Sequence, residues 1–261
     1  MSKTAKAFQN GKAFIPFVTA GDPDLDTTKK LIIGIAESGA DLIEIGIPFS
    51  DPVAEGVVIQ QADERALSAG ATTDKIFDMV AEVRKALPDF PLAFMTYINP
   101  VYVYGCEKFL ARCEQLQIDA LIVPDIPYEE KEELAPYCEK HGVDFISMIA
   151  PSSENRIKMI AKDAKGFLYC VSSMGVTGVR SDIKTDVGAM IKNVREVSDV
   201  PTAIGFGIST PEQARHMAQF ADGVIVGSAI VKLCAQYGKD CVEPVKAYVK
   251  EMKAAVLRSE E

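Results

Sequence analysis

The chain has 261 residues, 48% of them apolar, and a formal net charge of −9. No apolar stretch is long enough to span a bilayer, and the basic residues are scattered among acids, which argues against membrane and nucleic-acid partners. The six cysteines form no CxxC pair and the two histidines, His141 and His216, lie far apart, which disfavours a metal site or a Ser-His-Asp triad.

In chain order, short apolar runs alternate with segments of helical periodicity. AFIPFVT (13–19) precedes the helical pattern TTKKLIIGIAESG, and DLIEIG (41–46) precedes TDKIFDMVAEVRKAL. LAFMTY (92–97) leads to CEKFLARCEQLQ, DALIVPD (119–125) to EEKEELAPYCEKHG, and VDFISMIA (143–150) to SENRIKMIAKDA. GFLYCVS (166–172) leads to VGAMIKNVREVSD, and PTAIGFG (201–207) and DGVIVGS (222–228) complete a set of eight. The C-terminal CVEPVKAYVKEMKAAVLRSEE reads as a closing amphipathic helix. Strands that are apolar throughout and alternate with helices imply a parallel sheet covered by helices. Eight units in about 230 residues predict an α/β fold, a single (β/α)8 TIM barrel with extra helices. An open doubly wound sheet is the alternative, but VTAGDPD, after the first run, lacks the Gly-rich dinucleotide fingerprint. No linker divides the chain, so one domain over residues 1–261 is expected. The N-terminal stretch has no apolar signal core, so a cytoplasmic location is expected, with the cysteines as thiols.

A barrel builds its active site at the C-terminal ends of its strands and in the loops beyond them. Residues 21–24 then follow strand 1, Asp51 and Glu55 lie in the loop after strand 2, Tyr97 and Asn99 close strand 3, Asp125 ends strand 4, and Tyr169 lies within strand 6. Glu44 stands out, because a carboxylate among isoleucines costs free energy unless it is hydrogen-bonded or protonated. Alternation turns it away from Ile43 and Ile45 and into the mouth, where burial would tune it as an acid/base. The last three loops, GVTGV (175–179), GFGIS (205–209) and VGSAIVK (226–232), are glycine-rich, and the last opens a helix. Backbone N–H groups and a helix N-terminus at the end of such strands suit a phosphate dianion.

AFIPFVTAGDPD, DLIEIGIPFSDPVAEGVVIQQA, MTYINPVYVYG, LIVPDIPYEE, GVTG, GFGIST and GVIVGSAIVK resemble, in this order and spacing, the tryptophan synthase alpha subunit family. The resemblance implies a lyase that splits indole-3-glycerol phosphate into indole and glyceraldehyde 3-phosphate, with no metal or cofactor of its own. It implies Glu44 as general acid/base, Glu55 as the carboxylate that accepts the indole N–H, and Tyr169 near the reacting centre. Phe17, Met95, Tyr97, Pro124 and Phe206 would line the substrate pocket, and Gly178, Gly207, Gly227 and Ser228 would hold the phosphate. Asp125 would support the loop after strand 2, or serve as a helix cap. The implied partner is a PLP-dependent beta subunit in an alpha2beta2 heterotetramer, met by Asp51 and Pro52, with the PLP confined to that partner.

One departure stands out. The family's usual ADG triplet is AEG here, with Val57 where a proline commonly follows. The extra methylene of Glu55 implies either a compensating shift of the loop or a slower reaction. Two other readings stay open at this point: a catalytically weakened regulatory chain that binds a phosphate ligand and activates the beta subunit, and another phosphate-binding barrel enzyme such as a sugar-phosphate isomerase.

Overall fold

The apolar runs become parallel strands, and most of their residues are buried on both faces. The computed structural model describes residues 3–171, 187–205 and 207–260. Its strands are β1 (Ala13–Thr19), β2 (Ile43–Gly46), β3 (Leu92–Met95), β4 (Ala120–Ile122), β5 (Asp144–Phe145), β6 (Ser147–Ile149), β7 (Leu168–Val171), β8 (Thr202–Gly205) and β9 (Gly223–Val226). They pair in the order β5-β4-β3-β2-β1-β9-β8-β7-β6.

The two ends of that order are consecutive in the chain, with only Ile146 between them. β5 pairs with β4 (Leu121 with Phe145) and β6 with β7 (Met148 with Tyr169), while the Ile146 N–H still donates to Leu121 O at 2.9 Å. The fifth run thus changes neighbours midway and brings the sheet round into a nearly closed barrel. Eight expected strands appear as nine segments for this reason.

Alternation along the strands creates two apolar layers. Ala13, Ile15, Phe17, Ala93, Met95, Ala120, Tyr169, Ala203 and Ile225 fill the barrel interior. Phe14, Val18, Ile43, Ile45, Phe94, Leu121, Cys170 and Ile204 pack outward against the helices. This double burial is why the strand sequences read as continuous apolar runs rather than alternating ones.

The helices follow the sequence reading with two differences. The segment expected as one helix over 129–142 is a 3-10 turn, Tyr128–Glu133, and a helix, Ala135–Lys140. They part at Leu134, because Pro136 lacks an N–H and fits only the first turn of the second piece. Helices Val57–Ser68, Ile98–Tyr104 and Pro211–Ala218 add to those the periodicity marked. The last has a reciprocal cap between Thr210 and Gln213. At the opposite end of the barrel the N-terminal turn seats Phe8 on Phe167, with ring centroids 5.6 Å apart. Among the described residues, no helix is long and apolar enough to cross a membrane.

Candidate active site

Glu44 sits in the middle of β2, in register with Phe17 of β1 and Ala93 of β3. It is completely buried, and neither carboxyl oxygen has a hydrogen-bond partner among the described residues. Loss of water, and then the charge of nearby Glu55, hold its carboxyl well above the ordinary glutamate range. The strand alternation leaves the side chain no other direction than the interior.

Glu44 opens into a cavity at the C-terminal mouth. Phe17, Glu55, Ile59, Met95, Tyr169, Gly207, Ile208, Ile225, Gly227 and Ser228 complete its lining. Two glycines shape the aromatic walls. A Cβ on Gly46 would fall 2.5 Å from Phe17 Cζ, and one on Gly205 would fall 2.6 Å from the Tyr169 hydroxyl. Each ring therefore lies over a glycine whose place a larger residue could not take without moving the ring. Burial and then the neighbouring glutamate charges push the Tyr169 phenol well up, so it stays neutral and its hydroxyl remains a donor.

The far end of the cavity is polar in a different way. Gly227 caps helix Ser228–Tyr237, and both Gly227 and Ser228 face the cavity, so the positive end of the helix dipole opens into it. Gly207, with φ of 81°, turns the chain after β8 in a conformation that favours glycine. This end suits an anion, whereas the Phe17, Met95 and Ile225 walls suit a flat apolar group.

The loop after β2 brings in Glu55, which is buried although it follows the exposed residues Ser50, Asp51 and Val53. Gln60 Nε2 donates to the Glu55 carbonyl at 2.7 Å. Of the residues named from sequence, the structure collects Phe17, Glu44, Glu55, Met95, Tyr169, Gly207, Gly227 and Ser228 around one cavity. It does not place Tyr97 or Pro124 in that lining. Tyr97 is turned toward the loop, where its hydroxyl accepts the Ala54 N–H at 2.9 Å. Pro124 lines a separate cavity with Val123, Ile126 and Phe145, next to the strand break at Ile146. Asp125 accepts the Ile98 N–H at 3.0 Å and so holds the start of helix Ile98–Tyr104. Asp51 is exposed and Pro52 half-buried, both outside the cavity. Phe206 and Gly178 lie outside the described residues.

Sequence reasoning missed Ile59, Ile208, Ile225 and Asp63. Asp63 is buried on helix Val57–Ser68, on the face it shares with Ile59, Ala62 and Ala66. An acid on the apolar face of an amphipathic helix was the available signal. Burial, followed by the charge of Glu55, pushes its carboxyl up to about 8. Among the described residues, no group of three or more His, Cys, Asp or Glu side chains could hold a metal ion.

Fold and site together define a class: a parallel (β/α)8 barrel with buried carboxyl groups at its mouth and a helix N-terminus opening into the same cavity. The tryptophan synthase alpha chain family model matches residues 3–257. A tryptophan synthase alpha chain of Lacticaseibacillus casei is 49% identical, over 98% of this chain and 96% of its own. One of Lactiplantibacillus plantarum is 45% identical over 98% and 97%. Among solved structures, tryptophan synthase subunit alpha from Legionella pneumophila superposes with a TM-score of 0.88 at 35% identity, covering 98% of both chains. A structure from Aquifex aeolicus VF5 superposes with a TM-score of 0.89 at 37% identity, covering 98% of this chain and 99% of its own. The chain belongs to the tryptophan synthase alpha chain family. It is a lyase of tryptophan biosynthesis, cleaving indole-3-glycerol phosphate to indole and glyceraldehyde 3-phosphate. The alpha chain uses no PLP of its own.

Proposed function

We propose that Glu44 is the general acid and base of this cleavage, that Glu55 stabilises the charged indole, and that Gly207, Gly227 and Ser228 receive the phosphate. The observation that carries the reading is a fully buried Glu44, with neither oxygen partnered among the described residues, in one cavity with Glu55, Tyr169 and a helix N-terminus.

The bond that breaks joins indole C3 to the hydroxyl-bearing glyceryl carbon. Glu44, kept protonated by burial, gives its proton to C3, and positive charge develops at the indole nitrogen. The Glu55 carboxylate accepts the indole N–H and offsets that charge in a poorly solvated site. Glu44, now a carboxylate, takes the proton of the glyceryl hydroxyl. The C–C electron pair returns to the ring, the carbonyl forms, and indole and the aldehyde separate. One carboxyl thus serves as acid and then as base, which needs a proton affinity near the working pH. Tyr169, over Gly205, lies against the reacting centre, and Phe17 and Met95 confine the ring.

The whole chain acts as one barrel domain in the cytoplasm, beside a PLP-dependent beta subunit in an alpha2beta2 assembly. The exposed loop with Asp51 and Pro52, and the apolar Val53 (73% exposed) and Val103 (80% exposed) on the same rim, supply its docking face. A related chain, 32% identical with a TM-score of 0.84, belongs to a tryptophan synthase complex from Pyrococcus furiosus. Indole release from indole-3-glycerol phosphate, measured alone and with a beta subunit, tests the reading. Turnover that rises with the partner supports it. No turnover in either case, with the beta reaction still accelerated, would instead identify a regulatory chain. Glu55→Asp should lower kcat by about tenfold, because the loop is built around the longer side chain. A rate gain would show that Glu55 impairs the enzyme.

A further inference from the structure

Asp63 and Tyr97 have no part in the proton transfers above, yet both are buried beside the loop that delivers Glu55. We propose that Asp63 and Tyr97 are positioning residues for Glu55, fixing the two ends of the loop after β2 so that a glutamate arrives beside Glu44. This rests on the role given to Glu55 above.

The loop leaves β2 at Gly46 and enters helix Val57–Ser68. Its outer part, around Ser50, Asp51 and Val53, is exposed, so its position depends on anchors to either side. On the near side the buried Asp63 carboxyl adjoins the Phe49 backbone. On the far side the Ala54 N–H donates to the Tyr97 hydroxyl at 2.9 Å. The Phe49 and Tyr97 rings pack with centroids 5.5 Å apart, which joins the two anchors. Glu55 directly follows Ala54, so any drift of the second anchor moves the carboxylate.

Both anchors stand on fixed supports. Tyr97 precedes helix Ile98–Tyr104, whose first N–H is held by Asp125. Asp63 lies two residues before Arg65, which grips Asp22 in the loop after β1 through two bonds of 2.8 Å. Locking a functional group through hydrogen bonds to rigid elements is what precise placement requires.

Asp63 also carries a charge that matters. Among the described residues it faces Glu55 from the loop and Asp22 from the turn after β1, with the Tyr97 phenol nearby. The local cation, Arg65, is already committed to Asp22. Loss of the Asp63 proton above neutrality therefore places a second negative charge next to Glu55. An asparagine would keep the shape and a polar oxygen beside Phe49 and would never ionise.

The test is steady-state indole release by the full chain over pH 6 to 9, with Tm as the control for folding. Tyr97→Phe and Asp63→Ala should lower kcat by about tenfold or more while KM moves less than about twofold. Neither should lower the residual rate further in a Glu55→Gln background, since both act through that carboxylate. Asp63→Asn should recover most of the loss at neutral pH and abolish an inflection near pH 8 in the wild-type profile. If Asp63→Ala does not fold, Tyr97→Phe and Asp63→Asn carry the test alone. A kcat within twofold of wild type in Tyr97→Phe, or equal losses with Glu55 and with Gln at that position, would overturn the proposal. Unchanged turnover in Glu55→Gln would instead remove the role of Glu55 itself.

Discussion

Carboxylates in this barrel meet two different fates. At the N-terminal end, Asp41 accepts the Phe14 N–H at 2.7 Å and Lys253 Nζ at 2.7 Å. Asp119 accepts the Leu92 N–H at 2.9 Å and faces Arg84 at 3.3 Å. Asp222 accepts the Thr202 N–H at 2.7 Å and pairs with Arg195. Each of these acids precedes a strand and ties the start of the neighbouring strand to a cation. At the C-terminal end, Glu44 is buried more deeply than any of them and has no partner among the described residues. The N-terminal carboxylates are satisfied, whereas both oxygens of the interior one lack a partner among the described residues. Polar satisfaction separates scaffold from site more sharply than burial or residue type does.

The contrast can be broken first at Glu44. Glu44→Gln should reduce kcat by about 10²- to 10⁴-fold, the range for loss of a general acid/base, with no fall in Tm. A large loss of Tm with modest loss of rate would make Glu44 a structural acid. The opposite pattern is expected at the other end: Asp119→Ala strips a buried partner from Arg84 and from the Leu92 N–H, and should cost about 3 kcal/mol or more in urea unfolding. Its turnover per folded molecule should match wild type, and a selective loss of kcat would erase the distinction between the ends.

Gly46→Ala sharpens the picture of the mouth. The added methyl forces the Phe17 ring toward the cavity, which should lower kcat/KM by about tenfold and cost about 1–3 kcal/mol of overpacking. Phe17→Leu in the same chain should recover part of both losses; no recovery would mean that the ring is not what the glycine accommodates.

The smallest effect is in the pH dependence of stability. Glu44 and Asp63 have proton affinities raised by folding, so the native state holds protons that the unfolded chain has released. Their contribution to stability is therefore greatest below pH 4 and declines as pH rises toward about 8 for Asp63, where that group becomes ionised in both states. Asp63→Asn should flatten this decline, giving a Tm a few degrees above wild type at pH 8 and close to it at pH 4, at about 2–4 °C per kcal/mol. An unchanged slope would show that Asp63 does not hold its proton in the folded protein.

Much of this was legible in the residues. Runs such as GFLYCVS and DGVIVGS announce buried parallel strands, and Glu44 among isoleucines announces a tuned carboxyl. Gly227 and Ser228 read as a glycine-rich turn that opens directly into a helix, and both lie at the start of helix Ser228–Tyr237 facing the cavity. Tyr97 was harder to place: it follows strand 3 at the mouth, but whether its ring faces the cavity or the adjacent loop depends on how 47–56 folds over it. Asp63 gives little signal in the sequence, because the apolar face of its helix is made largely of alanines, a weak periodic pattern.

Local sequence by itself determined the parallel strands, most of the helices and the acid at the centre of β2. Those properties depend on a few neighbouring residues, since a side-chain period of two or 3.6 is set by backbone geometry. Only the tertiary structure decided that the fifth strand divides at Ile146 to bring the barrel round. It also decided that Pro124 belongs to another cavity, and that the Tyr97 hydroxyl holds the loop carrying Glu55 at Ala54. Those outcomes rest on contacts between residues far apart in the chain, whose free energies exist only once the strands have closed around one interior.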